Sequence, residues 1–433
     1  MNSAKAEGTL SLGLENSFYG NEFSKKVGLS DLILLPDGKQ PDLNFSVVRL
    51  INDSPTLSIA LNKSGDTFVL SSFRKEDAYS RYAKTAAQSS LGAALYNIAS
   101  SSVPAGALAN LIGELDFSDI GGLKVQSALK DLLPNIYLDV QKAELDQGRL
   151  LNRLVSAGLP EEGVWIKPIA SFADRSGSDQ VNGYNVKQAG AVGGIRTKIS
   201  EGLETGLFLG VSDLNLKEDN TDSHFDSTIF SFGAEARYGS STVPGFTAFG
   251  SLFAAVADSK TTRKSLGETY KGKWTGYLFG SQLEAELLFG QKGLAVGPVA
   301  SVDYVFSYRP KVSESGGLIA QKISKKSLGE VSTLLGIKIV MQQDTQTGTL
   351  SADGRLGWRH FYGARTIKTT SRFNESEESF FAESDTYGRD AVEGSVRFSC
   401  QTKSGIYAGL EAVASMARNE KSLGANFVVG KKF

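Results

Sequence analysis

The chain has 433 residues, with 46 basic residues against 47 acidic ones, so it has no charge excess that would attract nucleic acid. A single cysteine excludes an intramolecular disulfide and a zinc cluster of thiolates, and two histidines leave little material for a metal site or a Ser/His/Asp triad. The 47 glycines, 24 Phe and 14 Tyr, against only 10 prolines, favour many strands joined by tight turns.

The chain begins with short segments of strand character. Residues 8–73 contain TLSLGL, DLILL, FSVVRL, TLSIAL and TFVLSSF, separated by Gly, Asn and Asp turns. The opening residues, MNSAKAEGTL, show no basic region followed by an apolar run, so no secretory signal peptide is expected here. Residues 79–115 then predict two short, weakly amphipathic helices that are broken at Pro104.

A longer helix is predicted over residues 134–158, with Pro134 in its first turn and Gly158 as its stop. About twenty residues at 1.5 Å each reach roughly 30 Å, the thickness of a hydrocarbon layer. Taken alone, the segment favours packing on a soluble neighbour, but its position before the first strand of a barrel favours a polar lumen. Its charges exclude a place in lipid. The lumen-helix residues that we single out are Lys142, Glu144, Asp146, Arg149 and Arg153.

From residue 163 onward, about twelve segments alternate apolar and polar positions. In TIFSFGAEARYG, residues 228–239, Phe230, Phe232 and Tyr238 share one parity, and Glu235 and Arg237 share the other. The runs are roughly twice the usual five or six residues of a soluble strand. No window of 18 uncharged apolar residues suggests a transmembrane helix. The pattern therefore favours strands that face lipid on one side and a polar lumen on the other.

The charged residues of these strands fall on the polar parity, so we expect them to face the lumen and to pair with one another and with the helix. In particular, we expect inward acids of the barrel to hold Arg149 and Arg153. The five aromatic residues that suit membrane-interface girdles are Trp165, Tyr238, Tyr304, Tyr308 and Trp358. The predicted lumen-facing charges are Glu235, Arg237, Glu284, Glu286, Asp303, Arg355, Arg359, Glu393 and Arg397, with Arg196 as a further inward cation.

The connections between strands alternate in length. Residues 239–245 and 291–293 form short turns, whereas 215–227 and 368–390 are long and polar. Short turns at one rim and long loops at the other are typical of outer-membrane barrels. The predicted fold is therefore all-β, a twelve-stranded antiparallel transmembrane β-barrel with a lumen helix.

In this order, the parts resemble the C-terminal end of a classical autotransporter, the type V secretion family of Gram-negative bacteria. GVWIKPIASF at 163–172 resembles the family's first strand, and GRLGWRHFYG at 354–363 resembles its Gly-Trp-x-His strand. TLSIALNKSGDTFVLSSF is similar to the strand pair that closes a passenger. Phe433, with Phe427 and Val429 in phase, resembles the assembly signal, although Lys431 replaces a residue that is usually apolar.

The resemblance implies three regions and a function. Residues 1–77 would be a β-helix-like passenger remnant, 78–158 a helical linker that contains the lumen helix, and 159–433 the outer-membrane barrel. The chain would insert into the outer membrane as a translocator and secrete or display its N-terminal passenger at the cell surface. Because the family needs export and no signal peptide is found, we expect a fragment of a longer precursor.

The resemblance also implies partners. They are outer-membrane lipid and lipopolysaccharide, the barrel assembly machinery and periplasmic chaperones, with no nucleic acid and with the chain as a monomer. We expect no catalytic, cofactor-binding or metal site. Isolated Asn135 and Asn152 in the helix, in place of paired asparagines, predict that the linker does not cut itself.

Two other functions are weighed against the translocator. A porin-like channel for small solutes is disfavoured by the charged helix before the first strand, and a membrane esterase barrel by the lack of a Gly-Asp-Ser-Leu type nucleophile. His224 and His360 are far apart in the sequence and do not suggest a triad. EDNTDSHFD at 218–226 lacks the Gly and Glu of an EF-hand loop, and GAVGG at 190–194 is expected to allow close packing against the lumen helix.

Overall fold

The computed structural model describes residues 5–28, 42–50, 53–64, 67–101, 106–156, 162–239, 244–291 and 293–432. The chain divides into two compact units. The first comprises Met1–Leu133, Gly317–Lys322 and Thr370–Ala382, and the second comprises Pro134–Gly316, Ile323–Thr369 and Glu383–Phe433. The predicted strand DLILL at 31–35, Pro104, Gly158, Phe433 and the turn residues 240–243 and 292 lie outside the described residues.

Among its described residues before 134, the first unit contains two small sheets and three helices. Its strands are β1 (Lys5–Leu12), β2 (Glu22–Gly28), β3 (Asp42–Leu50), β4 (Leu57–Ser64) and β5 (Thr67–Arg74). Its helices are α1 (Ala86–Ser100), α2 (Ala107–Asp116) and α3 (Leu123–Asp131), preceded by a 3-10 turn at Ser80–Tyr82. Strands β1 and β3 pair in parallel, and β4 and β5 form an antiparallel hairpin that β2 joins along β5. The Thr85 hydroxyl oxygen caps α1 by accepting a hydrogen bond from the backbone N–H of Gln88, with an N–O distance of 3.2 Å.

Asp116, at the end of α2, is the polar centre of the first unit. Its carboxylate accepts hydrogen bonds from the Tyr79 hydroxyl at 2.8 Å, from the Thr56 hydroxyl at 2.6 Å and from the guanidinium of Arg74. Burial raises the pKa of the Asp116 carboxyl, and the charge of Arg74 opposes that effect. Because Arg74 is itself fully buried, each charge depends on the other, and the pair ties β5 to α2.

Twelve antiparallel strands of the second unit close into a barrel. Four short strands lie in the connections after β12 and β16. In chain order the elements are the helix α4 (Ile136–Ser156), β6 (Gly163–Arg175), β7 (Tyr184–Ser200), β8 (Leu203–Glu218), β9 (His224–Gly239), β10 (Gly245–Ser265), β11 (Glu268–Gln291), β12 (Leu294–Arg309), β13 (Val312–Ser313), β14 (Gln321–Ile323), β15 (Lys326–Asp344), β16 (Gly348–Tyr362), β17 (Lys368–Phe373), β18 (Ser379–Glu383), β19 (Asp390–Thr402), β20 (Ile406–Ala417) and β21 (Glu420–Lys431).

The fold predicted from the sequence, a closed twelve-stranded antiparallel barrel with a helix inside, is confirmed. Each strand pairs with its neighbour along the chain, and β21 returns to β6 to close the ladder. Closure matters because an open sheet edge would leave backbone N–H and C=O groups without partners in lipid.

The apolar parity of each strand faces outward. Phe230, Phe232 and Tyr238 are between 58% and 59% exposed, whereas Glu235 on the other parity is buried. Outward aromatics pair across strands, with ring centroids 6.3 Å apart for Tyr277 and Tyr308. The barrel therefore carries an apolar outer wall, while its lumen holds charged side chains together with a buried apolar cluster that includes Phe208, Phe225 and Trp274.

Two sequence-based expectations are wrong. Trp165 does not belong to an outer girdle, because it alternates with exposed Val164 and Ile166 and is 4% exposed inside the barrel. Residues 215–227 are not a long loop, because β8 continues to Glu218 and β9 already begins at His224. Polar residues such as Lys217 and Asp226 lie exposed on the outer faces of both strands, while Leu216 and Phe225 are buried on the inner faces.

The helix α4 lies inside the barrel and is called the lumen helix from here on. It packs mainly against β10, β11 and β12. Gly148 is a point of close approach, because a Cβ placed there would clash with Cγ1 of Val305 on β12. Among the described residues, no helix is both long enough and apolar enough to cross a membrane.

We predict that Gly148→Ala destabilises the barrel by about 1–3 kcal/mol, because the added methyl group overpacks against Val305. The measurement is the urea midpoint of the refolded chain, followed by the loss of the fast-migrating folded band in unheated gels. The double variant Gly148→Ala/Val305→Ala removes the clash and is expected to recover most of the loss. A single variant as stable as the parent chain would contradict the assigned contact.

The charged lumen and its helix as candidate functional site

The direction of the lumen helix is fixed at both ends. Near its start, the Tyr137 hydroxyl donates to Glu314 Oε1 at 3.2 Å and accepts from the Thr261 hydroxyl at 3.0 Å. Glu314 lies in the connection 310–325, at the rim that also carries the connection 363–389. We call this the long-connection rim. Near the end of the helix, Lys167 Nζ on β6 donates to the carbonyl oxygen of Leu154 at 2.8 Å.

The opposite rim carries short turns, among them 201–202 and 345–347, and we call it the short-turn rim. Strand β6 begins there at Gly163, beside the end of β21 at Lys431. The lumen helix therefore runs from the long-connection rim at Ile136 to the short-turn rim. Residues upstream of the helix enter the barrel from the long-connection rim.

The cations of the lumen helix are paired with acids of the wall. Arg149 forms ion pairs with Asp146 on the helix itself and with Glu330 on β15. Arg153 lies 3.4 Å from Glu411 on β20 and 3.9 Å from Glu393 on β19. The hypothesis from the sequence is that inward acids of the barrel hold Arg149 and Arg153, and these ion pairs are the contacts that it requires.

Other helix residues form hydrogen bonds with the wall or pair with one another. Gln147 donates to the Ser212 hydroxyl at 2.8 Å, and Asn152 donates to the carbonyl oxygen of Ser281 at 3.1 Å. The Ser307 hydroxyl donates to Glu144. Lys142 pairs with Asp146 one turn along the helix. Each of the five lumen-helix residues singled out in the sequence thus has an ion pair or hydrogen bond inside the barrel.

The charges of the wall also pair among themselves. Arg359 bridges Asp303 and Glu393, each at 2.7 Å. The other pairs of predicted lumen charges are Arg355 with Glu284 at 2.8 Å, Lys338 with Glu286 at 2.8 Å, Arg397 with Asp353 at 2.7 Å and Arg196 with Glu235 at 2.7 Å. Arg237 is half-buried on the lumen parity, opposite Glu204 in the strand register. Such mutual pairing offsets the cost of removing the charges from water.

Glu330 and Glu411 are wall acids that sequence reasoning missed. Both sit on the inward parity of their strands, so continuing the alternation through β15 and β20 would have found them. The signal is weak in β20, because its inward and outward residues, IYAGLEAVASMA, are nearly all small or apolar.

The glycines of the GAVGG segment lie beside atoms of neighbouring strands, and the assembly-signal residues lie on the outer face of the last strand. The atoms nearest to a Cβ at Gly190 belong to Val211 and Ser212, and those nearest to one at Gly194 belong to Leu207 and Trp165, so these glycines allow packing within the wall. These nearest atoms include none of the lumen helix, so packing of the glycines against that helix stays a prediction. Phe427 and Val429 lie exposed on the outer face of β21.

A cavity of about 150 Å³ lies beside the lumen helix. Its lining includes helix residues Lys142, Asp146 and Arg149 and wall residues Arg175 and Glu420. Charges of both signs line it, so it suits water and small ions better than an apolar ligand. In the described part of the chain, no three His, Cys, Asp or Glu side chains are placed to hold a metal ion.

The two histidines lie on the outer side of the barrel. His360 Nδ1 is 2.8 Å from Asp390, and its ring lies against Trp358 and Tyr362 on the outer face of β16. His224 is the exposed first residue of β9. Neither side chain faces the lumen, and they lie on strands that are not neighbours.

Comparison with known proteins gives three results. Residues 164–412 match the family described as autotransporter beta-domain. An extracellular serine protease of Serratia marcescens is 24% identical over 293 residues, which is 62% of this chain and 27% of that protein. Outer membrane protein B of Rickettsia prowazekii is 27% identical over 189 residues, 41% of this chain and 11% of that protein. The chain thus spans about a quarter or less of the length of these two relatives.

Among solved structures, the translocator domain of autotransporter NalP from Neisseria meningitidis has a TM-score of 0.53. The alignment covers 69% of this chain and all of that one at 14% identity. At this identity, the likeness is one of fold.

We predict that Arg153→Glu loosens the lumen helix, because the new carboxylate faces Glu411 and Glu393. The expected cost is about 2–3 kcal/mol of unfolding free energy, less than the roughly 3–5 kcal/mol for breaking a fully buried pair, since Arg153 keeps some solvent contact. Single-channel recording in planar bilayers should show a raised conductance, and the urea midpoint should fall.

The charge-swapped variant Arg153→Glu/Glu411→Arg restores an opposite pair and is expected to recover both measurements in part. Lys187→Glu, which makes the same charge change at an exposed position, is the matched control and should leave both unchanged. Unaltered conductance and stability in Arg153→Glu would show that the pair does not retain the helix.

Proposed function

The chain belongs to the autotransporter family, and we propose that its barrel holds the lumen helix as the exit track of a passenger, with everything upstream of residue 134 delivered to the outside of the cell. A barrel of this family is an outer-membrane translocator that secretes a passenger, and this barrel is a transport domain of that kind. The finer steps below are the proposal.

The observation that carries the proposal is the direction of the lumen helix. Tyr137 is bound at the long-connection rim by Thr261 and Glu314, and Lys167 holds the other end of the helix at Leu154. Outer-membrane barrels carry their longer loops on the extracellular side and their short turns on the periplasmic side. A chain that enters from the long-connection rim therefore has its upstream part outside the cell.

Each part of the chain has a role in this proposal. Residues 1–77 are the end of the passenger, 78–158 are the linker that includes the lumen helix, and 159–433 are the translocator barrel. The antiparallel pair β4 and β5 closes the passenger, and folding of passenger strands outside the cell supplies the energy for outward movement. We propose no catalytic role for the barrel itself.

The proposed partners follow from the surfaces. The outward Phe427 and Val429 on β21, together with Phe433, would be read by the barrel assembly machinery after periplasmic chaperones deliver the unfolded chain. The apolar outer wall would be solvated by outer-membrane lipid and lipopolysaccharide. The barrel has no open strand edge, so we propose that it works as a monomer.

We predict that an epitope tag at Met1 is exposed at the cell surface when this chain is expressed behind a Sec signal. Protease treatment of intact cells should remove the tag, while the barrel remains as a heat-modifiable band in the membrane fraction. The physical reason is the direction of the lumen helix, which places the upstream chain outside.

A second tag inserted in the turn 345–347, on the short-turn rim, is the matched control. It should resist protease in intact cells and become sensitive only after the outer membrane is opened. A heat-modifiable band whose Met1 tag stays protected would contradict the proposed orientation, and a soluble product would contradict insertion into the membrane.

A further inference from the structure

The hairpin of β10 and β11 rises beyond the neighbouring strand. The two strands pair continuously from Gly245 opposite Leu288 to Ser265 opposite Glu268. The pairing of β11 with β12 starts only at Tyr277 opposite Tyr308, so residues 268–276 project past the end of β12, where the backbone of Lys271 is bridged to Ser315 in the connection that follows β12. This projecting part lies on the long-connection rim.

The outward residues of the hairpin change from apolar to polar at one level along the strands. Below it, Val256 and Tyr277 are exposed and apolar or aromatic. Above it, starting at the cross-strand pair of Asp258 and Thr275, the outward residues are polar. Aromatic girdles mark the boundary between lipid and water, so this change places the polar part at the level of lipid headgroups.

Four lysines occupy the polar part of this outer face. They are Lys260, Lys264, Lys271 and Lys273, and all four are exposed. Lys260 lies directly opposite Lys273 in the register. Residues in this relation have Cβ atoms about 4.5–5.5 Å apart, and like charges there are destabilising. A pair of opposed lysines therefore costs stability unless an anion binds between them.

The acidic and polar groups that face this patch leave it cationic. Asp226 on β9 is opposite Lys260, and its carboxylate, which also accepts a hydrogen bond from Asn215 at 2.7 Å, offsets one of the four positive charges. Asp258 lies at the lower edge of the patch, between Thr228 and Thr275. Lys264 Nζ donates to the Thr269 hydroxyl at 2.6 Å. The adjoining outward residues of β8 and β9 are Asp213, Lys217 and His224.

We propose that the lysine patch, defined as Lys260, Lys264, Lys271 and Lys273, binds the phosphorylated headgroup of a lipid in the surrounding outer leaflet. The inference rests on the proposed function, because it requires the long-connection rim to face outward. Residues two apart on a strand are about 6.8 Å apart, and adjacent strands about 4.8 Å, so the four lysines cover a patch of about 14 Å along the strands and about 5 Å across them. This size fits a headgroup with more than one phosphate.

The chemistry favours a lipid over a free anion. Lysine stems can lie along the apolar wall while their ammonium groups reach a phosphate at the interface. The patch is continuous with the lipid-facing surface below it, so the acyl chains of the same molecule would pack on Val256 and Tyr277. Each half of the surface thus matches one half of an anionic glycolipid.

The test uses the full chain refolded in detergent and titrated with lipid A that carries two phosphates, with the bound fraction read by native mass spectrometry. Lys260→Gln/Lys273→Gln should weaken binding by about tenfold, because each lysine near an anionic lipid surface contributes substantially to the attraction. Without lipid, the same variant should be at least as stable as the parent chain, because the opposed charges are gone.

The matched control is Lys187→Gln/Lys421→Gln, which removes two outward lysines on β7 and β21 of the same rim. It should bind as the parent chain does. Dephosphorylated lipid A should bind all variants equally and weakly. Equal binding of two-phosphate lipid A by the patch variant and the control would overturn the proposal.

Inorganic phosphate distinguishes the source of the anion. Millimolar phosphate that displaces the lipid completely would mean a free-phosphate site and would overturn the lipid assignment. The heat-modifiable band shows in every case that the barrel is folded. If the patch variant binds lipid A as well as the control does while the Met1 tag is exposed at the cell surface, only this inference is overturned. If the Met1 tag is protected from protease, the proposed orientation of the barrel is overturned.

Discussion

Closure of the hydrogen-bonded ladder is the constraint on which the rest of the structure depends. In lipid, every backbone N–H and C=O group needs a partner inside the protein, and a sheet satisfies this only when its last strand meets its first. Here β21 returns to β6 with registered pairs from Glu420 opposite Arg175 to Lys431 opposite Val164. Closure separates an outer face that needs apolar residues from an enclosed lumen that needs polar ones.

The lumen then sets its own requirement, because charges removed from bulk water must find partners. The wall meets most of this requirement by itself, with Arg359 between Asp303 and Glu393 as the most connected group. The lumen helix adds a smaller set of contacts, chiefly Arg149 with Glu330 and Arg153 with Glu411. Gly148 allows the helix to approach β12 closely enough for dispersion contacts to add to these polar ones.

Much of this architecture could be predicted from the sequence, because the period of two is a direct record of which face each side chain occupies. The parity of Phe230 and Glu235 was enough to assign the two faces of β9. What parity could not give was partner identity, since Arg153 meets Glu411 only through a helix whose rotation about its axis is set by packing. The assignment of Trp165 to an outer girdle was wrong for a related reason. An aromatic residue near a strand end suits a girdle and a lumen equally well until its neighbours, such as Gly194, are known.

The ends of strands were predictable only in part. Residues 215–227 are mostly polar, with Leu216 and Phe225 as the apolar exceptions, so the sequence suggested a loop, yet the backbone ladder of β8 and β9 continues through most of them. The full length of β10 and β11 could not be predicted from the sequence for the same reason. Where a strand leaves the bilayer, solvent accepts polar side chains on either face, and the alternation that identifies a strand disappears.

The self-pairing of the wall has a consequence for traffic through the barrel. Because the lumen's cations and anions largely neutralise one another within the wall, an interior without its helix would present little excess potential of either sign. A polypeptide that moves through it would find neither a strong electrostatic trap nor a strong electrostatic barrier, whether it is acidic or basic. Width, rather than the charge of the cargo, would then decide what such a conduit admits.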